Sequence, residues 1–423
     1  MYTHLLQTVY YNNKSIKSLL YPLLLHHSAI HKIMALKAVH VSDVPNLDQV
    51  PESASLALCT ASFSKGVELN RVPYKIPKFL VVGHRGNGMN VLTSMDQRMK
   101  AIKENSIMSF DSAAKFPIDF IEFDVQVTND DCPVIFHDDF IISEENGVIF
   151  EKRVTELCLS EFLCYGPQNE AGKIGKSLLR KTKDGKIVNW NVEKDDSLCT
   201  LKDAFQQVDP SVGFNIELKI DDHIVYQEDH LVHVLQAILK VVFENVHDRP
   251  IIFSSFHPDA ILLVRKMQST YPVFFLTEGG TEIFYDVRRN SLEEAMKVCI
   301  EGDLDGVVSE VKGIFRNPGA VSKIKDANLS LLTYGNLNRS PSSLFNISTI
   351  IISNVPEAVY MQHLMGINGV IVDQVKEITE AVSDMIKPSK VDEEEEEEVK
   401  SNPQFSQKEL TFLLKLIPQL IQE

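Results

Sequence analysis

Short apolar runs alternate with stretches whose apolar positions recur every three or four residues, from about Lys78 to Val375. The runs PKFLVVGHRG, FIEFDVQVT, CPVIFHDDF, GFNIELKI, PIIFSSF, VFFLTEG, LDGVVSEV, LSLLTYGNLN and GVIVDQV read as strands. ENSIMSFDSAAKF, TLKDAFQQV with Thr200 as N-cap, residues 230–245, HPDAILLVRKM, SLEEAMKVC and VPEAVYMQHLM read as helices between them. Strand–helix alternation of this kind predicts a parallel sheet covered by helices. The fold class expected is α/β, a TIM-type barrel in preference to a doubly wound sheet, which places the site at the C-terminal ends of the strands. Only the turn around Asn129, Asp130 and Asp131 separates FIEFDVQVT from CPVIFHDDF. A parallel crossover needs a dozen or more residues, so this pair is an antiparallel hairpin. Its second strand accounts for the one run in excess of a barrel's eight. It also brings His137 beside Phe123 or Asp124.

The chemistry collects at the ends of these runs. His84 and His137 each close an apolar strand, and either can take and give a proton near neutral pH. Glu122 and Asp124 are two apart and share one face of their strand, as do Glu217 and Lys219 on a later one. Carboxylates buried in apolar strands are costly without a cation. A hard divalent ion on Glu122, Asp124 and Glu217 is the simplest partner, either Mg2+ or Ca2+. The competing reading is a salt-bridge network with Arg85 and Lys219. Arg85 offers a fork suited to phosphate oxygens, and Lys219 a point charge on the same side. Glu104, Asn105, Ser254, Ser255, Glu278 and Asp373 are candidates for substrate contact or support, and the other histidines, His257 included, read as structural.

The ordered strings GHRG, EN, EFDVQ, PVIFHDD and NIELK resemble the glycerophosphodiester phosphodiesterase family of the plant type, and IIFSSF, VFFLTEG and GVIVDQ fit the same pattern. The likeness runs from Lys78 to Val375. It implies metal ligands at Glu122, Asp124 and Glu217, an acid/base pair at His84 and His137, and phosphate binding by Arg85 and Lys219. The activity implied is metal-dependent hydrolysis of deacylated phospholipids, such as glycerophosphocholine, to sn-glycerol 3-phosphate and an alcohol. Two alternatives are a lysophospholipase D-like enzyme and a non-catalytic scaffold that binds phosphorylated ligands.

The remaining segments frame this domain, expected over residues 78–388. Residues 1–42 lack Asp and Glu and carry Lys14, Lys17, Lys32 and Lys37, as a plastid transit peptide would. The alternative is a cytoplasmic protein starting at Met34. Residues 43–77 read as a lead-in, 87–103 as a surface loop, and 145–199 as an insertion or edge loop. The latter contains GKIGKSLLRKTKDGK, which either steers phosphate or is simply solvated. Residues 339–354 read as an insertion and 389–405 as an acidic linker. Residues 406–423 read as an amphipathic helix, capped by Ser406 and Glu409, that docks on the barrel or a partner. Peripheral membrane contact is not expected there, because its basic face is thin.

The formal charge of −16 argues against nucleic acid as a partner; Asp392 and the six glutamates after it supply part of it. The expected partner is therefore the small-molecule substrate. The six cysteines lack CxxC spacing and read as free thiols.

Overall fold

The computed structural model describes residues 74–169, 172–182, 184–335 and 355–385. The N-terminal extension, most of the lead-in, the 339–354 insertion, the acidic linker and the final helix lie outside the described residues.

The strands are β1 (Leu80–Gly83), β2 (Phe120–Val127), β3 (Pro133–Ile135), β4 (Phe140–Glu145), β5 (Val148–Arg153), β6 (Leu179–Lys181), β7 (Ile187–Asn189), β8 (Cys199–Thr200), β9 (Gly213–Leu218), β10 (Ile251–Ser255), β11 (Val273–Thr277), β12 (Gly306–Glu310), β13 (Ser330–Tyr334) and β14 (Gly369–Val372). Eight of them close a parallel ring in the order β1, β2, β9, β10, β11, β12, β13, β14 and back to β1. This is the barrel expected. The surplus run is β3, which pairs antiparallel with the far end of β2, Val125 opposite Ile135 and Val127 opposite Pro133. Continued past Ile135, that register sets His137 against Phe123, as the hairpin argument required.

Alternation along the strands explains why a core and a polar site share the same elements. On β2, Ile121, Phe123 and Val125 point outward into the large core under the helices. Phe120 points inward and joins Leu80, Val82, Ile252, Phe274, Leu276, Val308, Leu332 and Ile371 in a separate apolar cluster. Glu122 and Asp124 follow Phe120 on that inner face, one and two steps nearer the C-terminal end. The lumen is thus apolar at one level and charged above it. On β9 the same rule sends Phe214, Ile216 and Leu218 outward, and Asn215 and Glu217 inward beside Glu122 and Asp124.

The covering helices end where their sequences say. Ser106 caps Ile107–Ala113 and Thr200 caps Leu201–Gln207 with a reciprocal bond to Asp203. His257 caps Pro258–Met267, its ring accepting from the Ala260 amide, so its role is structural as read. Helices Val311–Arg316, Gly319–Asp326 and Val375–Met385 were not among those expected, although Val375, Ile378 and Val382 recur at helical spacing in the last.

Two segments correct the sequence reading. Residues 145–199 are no mere edge loop: β5, β4, β6 and β7 form a second, antiparallel sheet in that order. It has its own core of Ile141, Val154, Leu157, Phe162, Leu178 and Trp190 against Val134 and Phe136. Residues 87–103 are not a surface loop either, since Asn90, Asp96, Met99 and Lys103 are buried. Their polar groups have partners: Asn90 Oδ1 accepts from Trp190 Nε1, and the Asp96 carboxylate accepts from Arg98. Among the described residues no helix is long and apolar enough to cross a membrane. Cys132, Cys158, Cys164, Cys199 and Cys299 are free thiols.

Candidate active site

His84 follows β1 directly, and the chain then turns sharply. Arg85 sits at φ 47° and Gly86 at φ 89°, where a Cβ on Gly86 would collide with Ser109 and Phe110. The turn aims the Arg85 amide at Glu122 Oε2, 2.9 Å away. It also leaves the His84 ring with Nδ1 2.7 Å from Asp373 Oδ1, just after β14, and Nε2 3.9 Å from Glu122 Oε2. Asp373 is itself fixed by the Met89 amide at 2.8 Å. His137 has the same device: its Nδ1 lies 2.7 Å from Asp138 Oδ1. In each case a carboxylate orients the ring through Nδ1.

Glu122, Asp124 and Glu217 are all buried and each brings a carboxylate oxygen within 4.8 Å of the others. Glu122 Oε1 is buried without a hydrogen-bond partner. Burial first, then the charges of Asp124 and Glu217, push the Glu122 pKa well above its ordinary value. Burial likewise raises Glu217, against the pull of Lys219. Asp124 goes the other way: burial opposes its charge, but His137, Arg85 and Lys219 and a 2.8 Å bond from Asn105 hold it low. An orphaned carboxylate oxygen, three converging acids and no softer ligand fit a hard divalent cation.

The cations meet these acids from the sides. Arg85 Nη1 bonds Glu104 Oε1 at 2.7 Å, and its Nε lies 3.4 Å from Asp124 Oδ2. Burial works against its charge, yet Glu104, Asp124 and Glu122 raise its pKa further. Lys219 Nζ lies 3.3 Å from Glu217 and 4.0 Å from Asp124. Burial, then Arg85 and Lys219, lower the pKa of half-buried His137 to about 4, so its ring is neutral at neutral pH.

The structure therefore gathers His84, His137, Glu122, Asp124, Glu217, Arg85, Lys219, Glu104, Asn105 and Asp373 at one end of the barrel. Glu278 lines a cavity shared with Glu217, Lys219, Phe256 and Phe284. Ser255 lines the same cavity, and its hydroxyl donates to the Leu218 carbonyl while that of Ser254 donates to Asn215, so both buried serines tie β10 to β9, the supporting one of the two roles read for them. Asp138 and Arg180 were missed. Asp138 was legible as the acid next to His137. Arg180 lies in the Lys- and Gly-rich stretch, whose Lys176 and Lys186 pair with Glu145 and Asp184 at the surface while Arg180 turns inward.

With the geometry in place, comparison with known proteins is decisive. The profile of the "Glycerophosphoryl diester phosphodiesterase family" matches residues 84–377, which span every residue gathered above.

The chain belongs to that family.

Its relatives include the Arabidopsis thaliana protein named glycerophosphodiester phosphodiesterase GDPD1, chloroplastic, 61% identical over 92% of this chain and 100% of the relative. The Arabidopsis glycerophosphodiester phosphodiesterase GDPD2 is 58% identical, again over 92% and 100%. A crystal structure from Silicibacter pomeroyi DSS-3, 17% identical, superposes with a TM-score of 0.51 over 74% of this chain and 97% of that one. At that identity the likeness speaks to the fold alone, and it is the barrel fold.

Proposed function

We propose that this enzyme hydrolyses glycerophosphodiesters to sn-glycerol 3-phosphate and an alcohol, with His84 and His137 as the proton-transfer pair. The observation that carries this reading is the pairing of two carboxylate-backed imidazoles with three converging acids in one charged layer. Glu122, Asp124 and Glu217 would hold a divalent cation, Mg2+ or Ca2+, which neutralises phosphate charge as a fifth oxygen approaches phosphorus. Arg85 and Lys219 are the side chains placed to meet the remaining phosphate oxygens.

His137 is kept neutral by burial and then by the neighbouring Arg85 and Lys219, so it is suited to accept the proton of the attacking water or of the adjacent glycerol hydroxyl. His84, held through Nδ1 by Asp373 and with Nε2 3.9 Å from Glu122 Oε2, is then the ring assigned to give a proton to the departing alcohol. One water is consumed overall; after direct attack the rings regain their starting states by exchanging a proton with solvent, and on the glycerol-hydroxyl route the hydrolytic second half reverses their roles. Asn105 and Glu104 position Asp124 and Arg85. The acid-poor N-terminal residues, together with a relative named as chloroplastic, support a plastid location. Imaging of a C-terminal fluorescent fusion tests it, and a cytosolic signal would reject it.

The direct test of the chemistry is release of glycerol 3-phosphate from glycerophosphocholine by the full chain. The reading expects release that is abolished in both His84→Ala and His137→Ala. A folded protein that releases none with either ion, or a His84→Ala variant of full activity, overturns it.

A further inference from the structure

Resting on the assignment of His137 above, we propose that Arg180 is a positioning residue for proton transfer, delivered to the site by the second sheet. Arg180 leaves β6 and its side chain is 11% exposed. Its Nη2 lies 2.9 Å from Asp138 Oδ1, the same oxygen that stands 2.7 Å from His137 Nδ1. Its Nη1 lies 3.0 Å from Glu104 Oε2 and donates to the Asn90 carbonyl at 3.3 Å. Glu104 in turn grips Arg85, so one guanidinium ties the support of His137 to the support of the phosphate-facing arginine.

The fork is fixed from its flat side as well. Its central carbon stands 4.1 Å from the centroid of the Trp190 ring. Trp190 donates from Nε1 to Asn90 Oδ1 at 3.0 Å and packs at 5.8 Å against Phe136, the residue before His137. Asp138 is more than a quarter exposed and would otherwise be free to swing toward solvent. A planar fork held at three points prevents that, and with it any drift of the imidazole. A lysine could not do the same, because a single ammonium lacks the paired geometry that spans Asp138 and Glu104.

The test uses the full chain and steady-state hydrolysis of glycerophosphocholine. Misplacing a reacting group by about 1 Å costs on the order of 10²-fold in rate. Arg180→Gln should therefore lower kcat by about that factor while KM moves by less than about threefold. Arg180→Lys should recover little of the loss. In an Asp138→Asn background, Arg180→Gln should cost far less than it does alone, since the link to His137 is already cut and only the one through Glu104 remains. Trp190 is the chain's only tryptophan, so its emission reports whether each variant keeps the packed second sheet. Should Arg180→Gln fail to fold, Arg180→Lys carries the same comparison with Asp138→Asn. Losses that multiply in the double variant, or full kcat in Arg180→Lys, overturn the proposal. Full activity in a parallel His137→Ala sample would overturn the underlying assignment instead, so the two failures are distinct.

Discussion

Among the described residues lie two trios of potential metal ligands, and they have opposite characters. Glu122, Asp124 and Glu217 converge in the lumen; Asp139, Asp221 and His223 converge on the loops outside it. Spacing alone does not tell them apart. The partners do. Asp221 already has its cation, Arg153, in a close ion pair, and its other oxygen accepts from the His223 amide at 2.8 Å. Glu122 has an oxygen with no partner and a pKa driven upward by burial and by its fellow acids. A satisfied acid is part of the scaffold, whereas a frustrated one is a site waiting for charge.

Four measurements sharpen or break this contrast. The largest effect is expected on rate. Glu122→Gln should lower glycerol 3-phosphate release on the order of 10³-fold, since it removes a carboxylate that would hold the cation facing the phosphate. Next comes acid stability at a satisfied carboxylate. Burial opposes the charge of Glu104, but Arg180 and Arg85 outweigh it and lower its pKa from 4.5 to about 2. The sign follows from a depressed folded value: the stability is present above about pH 4.5 and lost as pH falls toward 2. It corresponds to about 3 kcal/mol, seen as a shallower acid-unfolding curve in Glu104→Gln between those limits.

Cation binding comes third. At a hundredfold excess over Kd, added Mg2+ or Ca2+ should stabilise the wild type by about 2.7 kcal/mol, and should do nothing for Glu122→Gln. The cation-free protein should show the complementary sign. A raised carboxyl pKa favours the folded state at low pH and costs stability as pH rises from the unfolded value through the folded one, so Glu122→Gln should be the more stable protein at pH 7 without metal. The smallest effect belongs to the other trio. Asp221→Asn should cost about 2 kcal/mol in denaturant unfolding, by weakening the partner of Arg153, while leaving the cation-induced stabilisation intact.

The sequence carried the barrel because its strands obey a period of two over an outward core that is almost wholly apolar. The breaks in that period were themselves the site: Glu122 and Asp124 stand where Phe120 predicts further apolar residues. Asp373 was visible only as the end of the last strand, and its bond to His84 spans 289 positions that no local pattern connects. The second sheet was illegible for a different reason. β6 (Leu-Arg-Lys) and β7 (Ile-Val-Asn) are three residues each and only partly buried, too short for either period or composition to mark them. Ser255 stayed open in the sequence because a hydroxyl at a strand end fits a substrate contact and a backbone tie equally well; its 2.8 Å bond to the Leu218 carbonyl shows the tie.

The most direct test of the account is the cation dependence of glycerol 3-phosphate release by the full chain, stripped with chelator and reloaded with Mg2+ or Ca2+, beside Glu217→Gln and Asp221→Asn. The account predicts activity that vanishes on stripping, returns on reloading, is lost in Glu217→Gln and persists in Asp221→Asn. Activity indifferent to the chelator, or lost equally in both variants, would contradict it.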